Sequence, residues 1–250
     1  MRTILCLADD GLPNPNISTS ARPWAVGRFL PTPILEEIST IRTPKLFQLY
    51  FHKDRGLTNS MIERCITANF DVLVLTVDTI TGGNRERDLR TGFTLPPRLT
   101  LKSLHSFAMH PRWAANYFMQ EKLELPQLKG YLEEGSNISV SIADYISTIK
   151  SIMSVADAKR AVDIGAIGIM VSNHGGRQLD GSRSPFDQLA KIIDAVGDRI
   201  DVICDGGITR GTHVLKALSV GAKACSGGRL YLYALAAAGQ AGVEKALKNL

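Results

Sequence analysis

An incomplete α/β barrel of the (β/α)8 (TIM) type, with about six of its eight strands recognisable, is the fold class that three observations predict. From Leu46 onward, short and continuously apolar runs alternate with amphipathic segments, which implies a mainly parallel sheet with helices between its strands. Glycine-rich polar segments follow several of those runs, and in barrels and open sheets alike ligand sites lie at the carboxyl ends of the strands. A length of 250 residues suits one such domain.

Residues 1–44 read as an irregular N-terminal segment: one plausible strand, Thr3–Leu7, precedes a Pro- and Ser-rich stretch without periodicity. The barrel domain then covers residues 45–250. Its strands are expected at Leu46–Tyr50, Val72–Val77, Ile146–Ile152, Ile167–Ser172, Asp201–Asp205 and Lys223–Ser226, apolar in the middle as strands buried on both faces should be. A helical pattern starts near Thr58 and runs through Met61, Ile62, Cys65 and Ile66. Residues 80–145 or thereabouts form an insertion, with a Pro-rich turn at Leu95–Arg98 and an aromatic segment at His110–Phe118. It is too long for an ordinary βα loop and reads as a lid or an inserted subdomain. Ser154 and Asp157 make a capping-box variant opening a helix that runs to Gly165. Further helices are expected over Phe186–Val196, over Thr212–Val220 with Gly221 as C-cap, and through the alanine-rich tail Leu230–Leu250.

Composition narrows the function classes. Apolar residues at 44% and charged residues at 21% exclude wholesale disorder. The net charge of +5 is not gathered into a run, which argues against a nucleic-acid arm and agrees with an anionic ligand. Cys6, Cys65, Cys204 and Cys225 form no C-x-x-C pair, so neither a disulfide framework nor a metal site is expected. No apolar stretch is long enough to span a bilayer, and Asp9 and Asp10 interrupt the N-terminal apolar segment, so a cytoplasmic location without a secretory signal is the expectation.

Two glycine-rich turns carry the first chemistry. Asp205-Gly206-Gly207-Ile208-Thr209-Arg210-Gly211 precedes a helix, and Gly227-Gly228-Arg229 ends the next strand. Glycines let the backbone approach an anion, and the helix start turns N–H groups toward it, so consecutive strand ends of this kind point to a phosphate site. The segment Ser172-Asn173-His174-Gly175-Gly176-Arg177 combines a base with a carboxylate clamp: imidazole titrates near neutral pH, and guanidinium pairs bidentately with a carboxylate. Asp78 either orients a neighbouring histidine or caps a turn. Lys150, inside an apolar run, either meets an anionic ligand or extends its ammonium to solvent. Gln48 and Tyr50 share one strand face, although Tyr50 also suits plain core. Of Arg85, Arg87 and Arg90, one is expected to reach a ligand.

Together these residues resemble the FMN-dependent α-hydroxy acid oxidase/dehydrogenase family, which includes glycolate oxidase, L-lactate dehydrogenases and mandelate dehydrogenase. The resemblance runs from about Phe47 to the C-terminus through FQLYFHKDRG, LTVDT, NRERDLRTGF, SNHGGRQLDG and DGGITRG…GGR, in the family's order. HPRW at His110–Trp113 is more like the dehydrogenase branch. The resemblance implies FMN as cofactor, contacted by Gln48, Thr76, Lys150 and Ser172, with Asp205, Gly206, Gly207, Arg210, Gly228 and Arg229 in its phosphate-binding part. It implies Tyr50, Arg85 and Arg177 as substrate-binding residues, His174 as catalytic base and Asp78 as its partner. The implied reaction takes an L-2-hydroxy acid, lactate-like, to the 2-oxo acid, by a hydride or a carbanion path. Electrons would pass on to a quinone, a cytochrome or oxygen. A homo-oligomer and peripheral contact with the inner face of the membrane fit the same resemblance.

The chain departs from the family pattern at Thr209, where arginine is usual, and at Ile80, where proline is usual. The first two barrel strands have no recognisable counterpart, so an N-terminally truncated barrel is expected. Two other readings stand beside the flavin enzyme. One is a non-catalytic barrel fragment acting only through association, motivated by the exposed sheet edges of an open barrel. The other is a different phosphate-binding β/α barrel, which shares the glycine turns but does not account for SNHGGRQ.

Overall fold

The computed structural model describes residues 4–5, 8–9, 46–50, 55–78, 90, 100–111, 114–115, 146–179 and 181–250. Its strands are β1 (Ile4–Leu5), β2 (Ala8–Asp9), β3 (Leu46–Tyr50), β4 (Val72–Thr76), β5 (Ile146–Ile152), β6 (Gly168–Val171), β7 (Asp201–Asp205) and β8 (Ala224–Ser226). They form one parallel sheet in the order β1-β8-β7-β6-β5-β4-β3-β2. The six longer strands are those expected from the sequence, and they lie side by side in chain order. The two ends of the sheet come from one short segment: Ile4 pairs with Cys225 on β8, and Ala8 pairs with Phe47 on β3. Six residues span at most about 20 Å, so the sheet curls far enough to bring β3 and β8 within reach of one segment. The fold is an incomplete (β/α)8 barrel. Where a single strand Thr3–Leu7 was expected, the structure has two short strands, because the segment pairs with a different neighbour at each end.

Helices α1 (Arg55–Thr67), α3 (Val155–Asp163), α4 (Pro185–Val196) and α5 (Gly211–Val220) connect successive strands, α2 (Leu101–Met109) lies between β4 and β5, and α6 (Arg229–Lys248) follows β8. Local chemistry sets their ends. Ser154 Oγ accepts from Asp157 N at 3.1 Å and donates to the Asp157 carboxylate at 2.7 Å, so the expected capping box opens α3. Ser184 Oγ accepts from Asp187 N at 3.2 Å and caps α4, with Pro185 in its first turn. Gly221 ends α5 at φ +115°, a conformation that disfavours a side chain. The tail is not one straight helix: Ala238 and Gly239 leave helical geometry and kink it.

Period-two alternation splits the sheet into two faces. Leu73, Leu75, Ile169, Val171, Val202, Cys204 and Cys225 pack against the helices. Leu46, Val74, Met170, Ile203 and Ala224 meet on the opposite, inner face. Burial pushes the Cys204 thiol up to about 12, with Cys225 and Asp205 adding to the shift, and pushes Cys225 up to about 11. Both thiols therefore stay protonated and serve as packing. Cys6 lies outside the described residues, as does most of the insertion.

Candidate active site

The inner face is built in tiers. Leu46, Val74, Met170, Ile203 and Ala224 make an apolar floor. Two residues further along each strand stand Gln48, Thr76, Ser172, Asp205 and Ser226, joined by Lys150 from β5, and all six are buried. Two residues further again come Tyr50, Asp78 and His174. The strands are staggered: Tyr50 pairs with Thr76 of the tier below it, and Thr76 pairs with Lys150. Six adjacent parallel strands thus aim their polar residues at the carboxyl rim, as the fold class demands.

The second tier is one hydrogen-bonded unit. Lys150 Nζ lies 3.2 Å from Asp205 Oδ2 and donates to Ser172 Oγ at 3.3 Å. Ser172 Oγ donates to Asp205 Oδ2 at 2.6 Å. The Lys150 ammonium is buried and paired, and does not extend to solvent as a strand-end lysine could. Asp205 is the partner of that ammonium, which explains how a carboxylate can stand beside an anion site.

The third tier holds the base. His174 Nδ1 lies 3.2 and 3.3 Å from the two Asp78 oxygens, and Nε2 lies 3.5 Å from Tyr50 OH. Gln48 Nε2 in turn donates to Tyr50 OH at 2.7 Å. Asp78 accepts only from a protonated Nδ1, so the neutral ring carries its lone pair on Nε2, facing Tyr50. His174 sits at φ +57°, in the left-handed region, with its backbone N–H donating to Ser172 Oγ at 3.1 Å. A non-glycine residue held there costs about 1–3 kcal/mol, a strain found where the surroundings fix a functional side chain. Burial pushes the half-buried Asp78 carboxyl up, but the His174 hydrogen bond and charge, the Ser151 hydroxyl and the Lys150 charge together hold it below the usual carboxylate range. Asp78 is therefore ionised at neutral pH and able to stabilise an imidazolium.

A pocket of about 470 Å³ opens beside these groups. Gln48, Lys150, His174 and Arg177 line one part of it, and the turn from Gly206 to Thr209, with Gly228 and Arg229, lines another. Gly206 and Gly207 have φ of +102° and +72°, backbone that glycine adopts readily and that lets the main chain approach a ligand closely. Arg229 reaches across to donate to the Gly175 carbonyl at 3.2 Å, tying the phosphate side to the His174 loop. A Cβ on Gly175 would collide with the end of that guanidinium. Gly175→Ala should therefore displace Arg229 while costing the fold only about 1 kcal/mol for the left-handed backbone. Thermal unfolding should move little, and affinity for inorganic phosphate or a phosphorylated ligand should fall severalfold by titration.

Of the residues expected in the site, His174, Asp78, Tyr50, Gln48, Lys150, Ser172 and Asp205 are brought together, with Arg177, Gly206, Gly207, Gly228 and Arg229 around the pocket. Arg85 and Arg87 lie outside the described residues. Arg210 stands exposed just before α5, in extended backbone with φ −146°, and is not among the residues lining the pocket. Ser226, His213 and Ser151 were not singled out from the sequence, and Thr209, noted there as a departure from the family's arginine, lines the pocket. Ser226 had a signal, since it continues the inward alternation of β8 from Ala224. Ser151 sits in a register shift of β5 at φ +76°, which no periodicity announces.

Comparison with known proteins gives the family. A family model described as FMN-dependent dehydrogenase matches residues 29–250. The chain belongs to that family. It is 40% identical over 241 residues to an L-lactate oxidase of Nostoc sp., covering 88% of this chain and 62% of that protein. An L-lactate dehydrogenase of Haemophilus influenzae is 39% identical over 238 residues, covering 86% and 62%. Among solved structures, the monotopic membrane protein (S)-mandelate dehydrogenase superposes with a TM-score of 0.73 at 31% identity, covering 86% of this chain and 62% of that one. A mandelate oxidase variant with a C4a-OH-FMN adduct gives 0.65 at 38% identity, covering 86% and 59%. This family member thus spans about 62% of the length of the curated relatives it matches.

The pocket suits the family's cofactor by its own chemistry. Thr76 Oγ1 is buried beside Lys150 with no hydrogen-bond partner among the described residues, an atom that a polar ring edge would satisfy. The paired glycines and Arg229 suit a phosphate at the other part of the same cavity.

Proposed function

We propose that this FMN-dependent dehydrogenase oxidises a small L-2-hydroxy acid, lactate-like, to the 2-oxo acid. The observation that carries the reading is His174: Nδ1 is tied to Asp78, and Nε2 faces Tyr50 OH at the rim of a pocket that Arg177 also lines. Gln48, Thr76, Lys150 and Ser172 would hold the flavin ring, and Gly206, Gly207, Gly228 and Arg229 its phosphate. FMN, when bound, supplies the two-electron acceptor. Arg177, with Arg85, would clamp the substrate carboxylate by paired N–H donors. Tyr50 would hydrogen-bond to the substrate oxygen, fixing the hydroxyl-bearing carbon next to Nε2. His174 would take a proton at Nε2 while Asp78 stabilises the resulting imidazolium, so two electrons and two hydrogens leave the alcohol and a carbonyl remains. Lys150 places a buried positive charge in the tier beneath, which would counter negative charge developing on the ring.

The electrons would leave for a quinone, a cytochrome or oxygen. Among the described residues no helix is long and apolar enough to cross a membrane. Leu101, Leu104 and Met109 of α2 nonetheless expose apolar side chains, which suits peripheral contact at a membrane's inner face for a cytoplasmic protein. A homo-oligomer is part of the same reading.

Anaerobic titration tests the proposal. Protein reconstituted with FMN should be yellow, and L-lactate or a related 2-hydroxy acid should bleach it with formation of the 2-oxo acid. A folded protein that stays colourless with excess FMN overturns the reading.

A further inference from the structure

The turn from β7 into α5 has an unusual fastening. On the first turn of α5, His213 directs its ring back at the glycine loop. Its Nδ1 lies 3.0 Å from Gly207 O, 3.3 Å from Thr209 N and 3.4 Å from Thr209 Oγ1. A single ring nitrogen therefore touches both ends of a three-residue turn. In the neutral ring the two contacts belong to different tautomers. With the proton on Nδ1, the ring donates to the Gly207 carbonyl; with the proton on Nε2, Nδ1 accepts from the Thr209 N–H and hydroxyl. Either tautomer pins the turn.

The turn needs such a fastening. Gly206 and Gly207 both have positive φ, and glycine loses more conformational entropy on ordering than any other residue. Helix α5 has no side-chain cap, since Arg210 makes no capping hydrogen bond, so the usual Ser or Asp support at a helix start is missing. Gly206, Gly207, Ile208 and Thr209 all line the pocket, while Arg210 does not, and Thr209 brings no charge to it. What this loop can offer a phosphate is its backbone N–H groups, and His213 holds the two ends of the turn that carries them.

We propose that His213 is a positioning residue for phosphate recognition: it holds Gly207–Thr209 in the shape that receives the phosphate of a flavin mononucleotide. The inference rests on the flavin reading above and deepens it, placing the selectivity for FMN over unphosphorylated flavin in a histidine outside the catalytic tiers.

The test compares FMN with riboflavin, which shares the ring and lacks the phosphate. Dissociation constants are read from flavin fluorescence for the full chain, its His213→Leu variant and its His213→Asn variant. Loss of one ordering hydrogen bond should raise the FMN constant about tenfold in His213→Leu and leave riboflavin within about twofold. His213→Asn carries both a donor and an acceptor on its carboxamide and should stay within about threefold of the unchanged protein for FMN. Unchanged FMN affinity in His213→Leu, equal weakening of FMN and riboflavin, or an Asn variant as weak as the Leu variant would each overturn the role. Failure of the unsubstituted chain to take up either flavin would instead overturn the flavin reading, and this inference with it.

Discussion

His174→Gln should leave the FMN-reconstituted protein yellow and slow its anaerobic reduction by 2-hydroxy acid by about a hundredfold to ten-thousandfold, the usual contribution of a positioned general base. The split between binding and chemistry follows from the tiers. His174 lies above the polar tier that would hold the ring, and its side chain hydrogen-bonds to Asp78 and Tyr50, not to the glycine turns or Arg229 that would hold the phosphate. Glutamine keeps a hydrogen-bonding side chain beside Asp78 and Tyr50 but has no basic nitrogen. It also inherits the left-handed backbone at φ +57°, so the fold loses no more than it already tolerates at that position. Flavin content by absorbance and reduction rate by stopped flow are the two readouts. Retained flavin with an unchanged rate would remove His174 as the base. Loss of flavin together with rate would make it a structural residue of the pocket.

The parts of this site that were legible in the sequence lie on strand faces or in glycine-rich turns at strand ends. Gln48 was legible from its strand face, Asp205 from the glycines that follow it, and Thr76 and Ser172 only from the family resemblance, although all four stand two residues after an inward apolar residue. His174 and Arg177 were legible through their flanking glycines. What escaped notice depends on local curvature. Ser151 faces the site because β5 shifts register between Lys150 and Ile152, and His213 faces Gly207 because the loop folds back on the helix it precedes. Arg210 was expected near the phosphate by its place beside the glycines, yet the extended backbone before α5 leaves it exposed. In the fold, the six long strands and the Ser154 cap were legible because runs of apolar residues and a serine–aspartate spacing are strong signals. The division of residues 4–9 between two neighbours was not, since two-residue pairings are too short to have a period.

Asp205→Leu should destabilise the protein by about 3–5 kcal/mol, the cost of leaving one member of a buried ion pair without the other. Lys150 is 4% exposed, so its ammonium recovers little water when the carboxylate 3.2 Å away is removed. Ser172 Oγ, at 3.3 Å, would be the acceptor left to it from this network, and a neutral hydroxyl does not replace a carboxylate. Ser172 itself would lose the 2.6 Å bond that fixes its oxygen, and with it the anchor for the His174 backbone N–H. For a domain whose total stability lies near the lower end of the usual range of about 5–15 kcal/mol, that removes most of it. The double variant Lys150→Met with Asp205→Leu separates the buried charge from simple loss of packing. With both charges gone nothing ionised remains to be desolvated, and the double variant should be more stable than Asp205→Leu alone, by urea midpoint on the flavin-free protein. Losses that merely add would mean that Lys150 finds another partner once Asp205 is gone, and that the polar tier is held together by packing instead of by this pair.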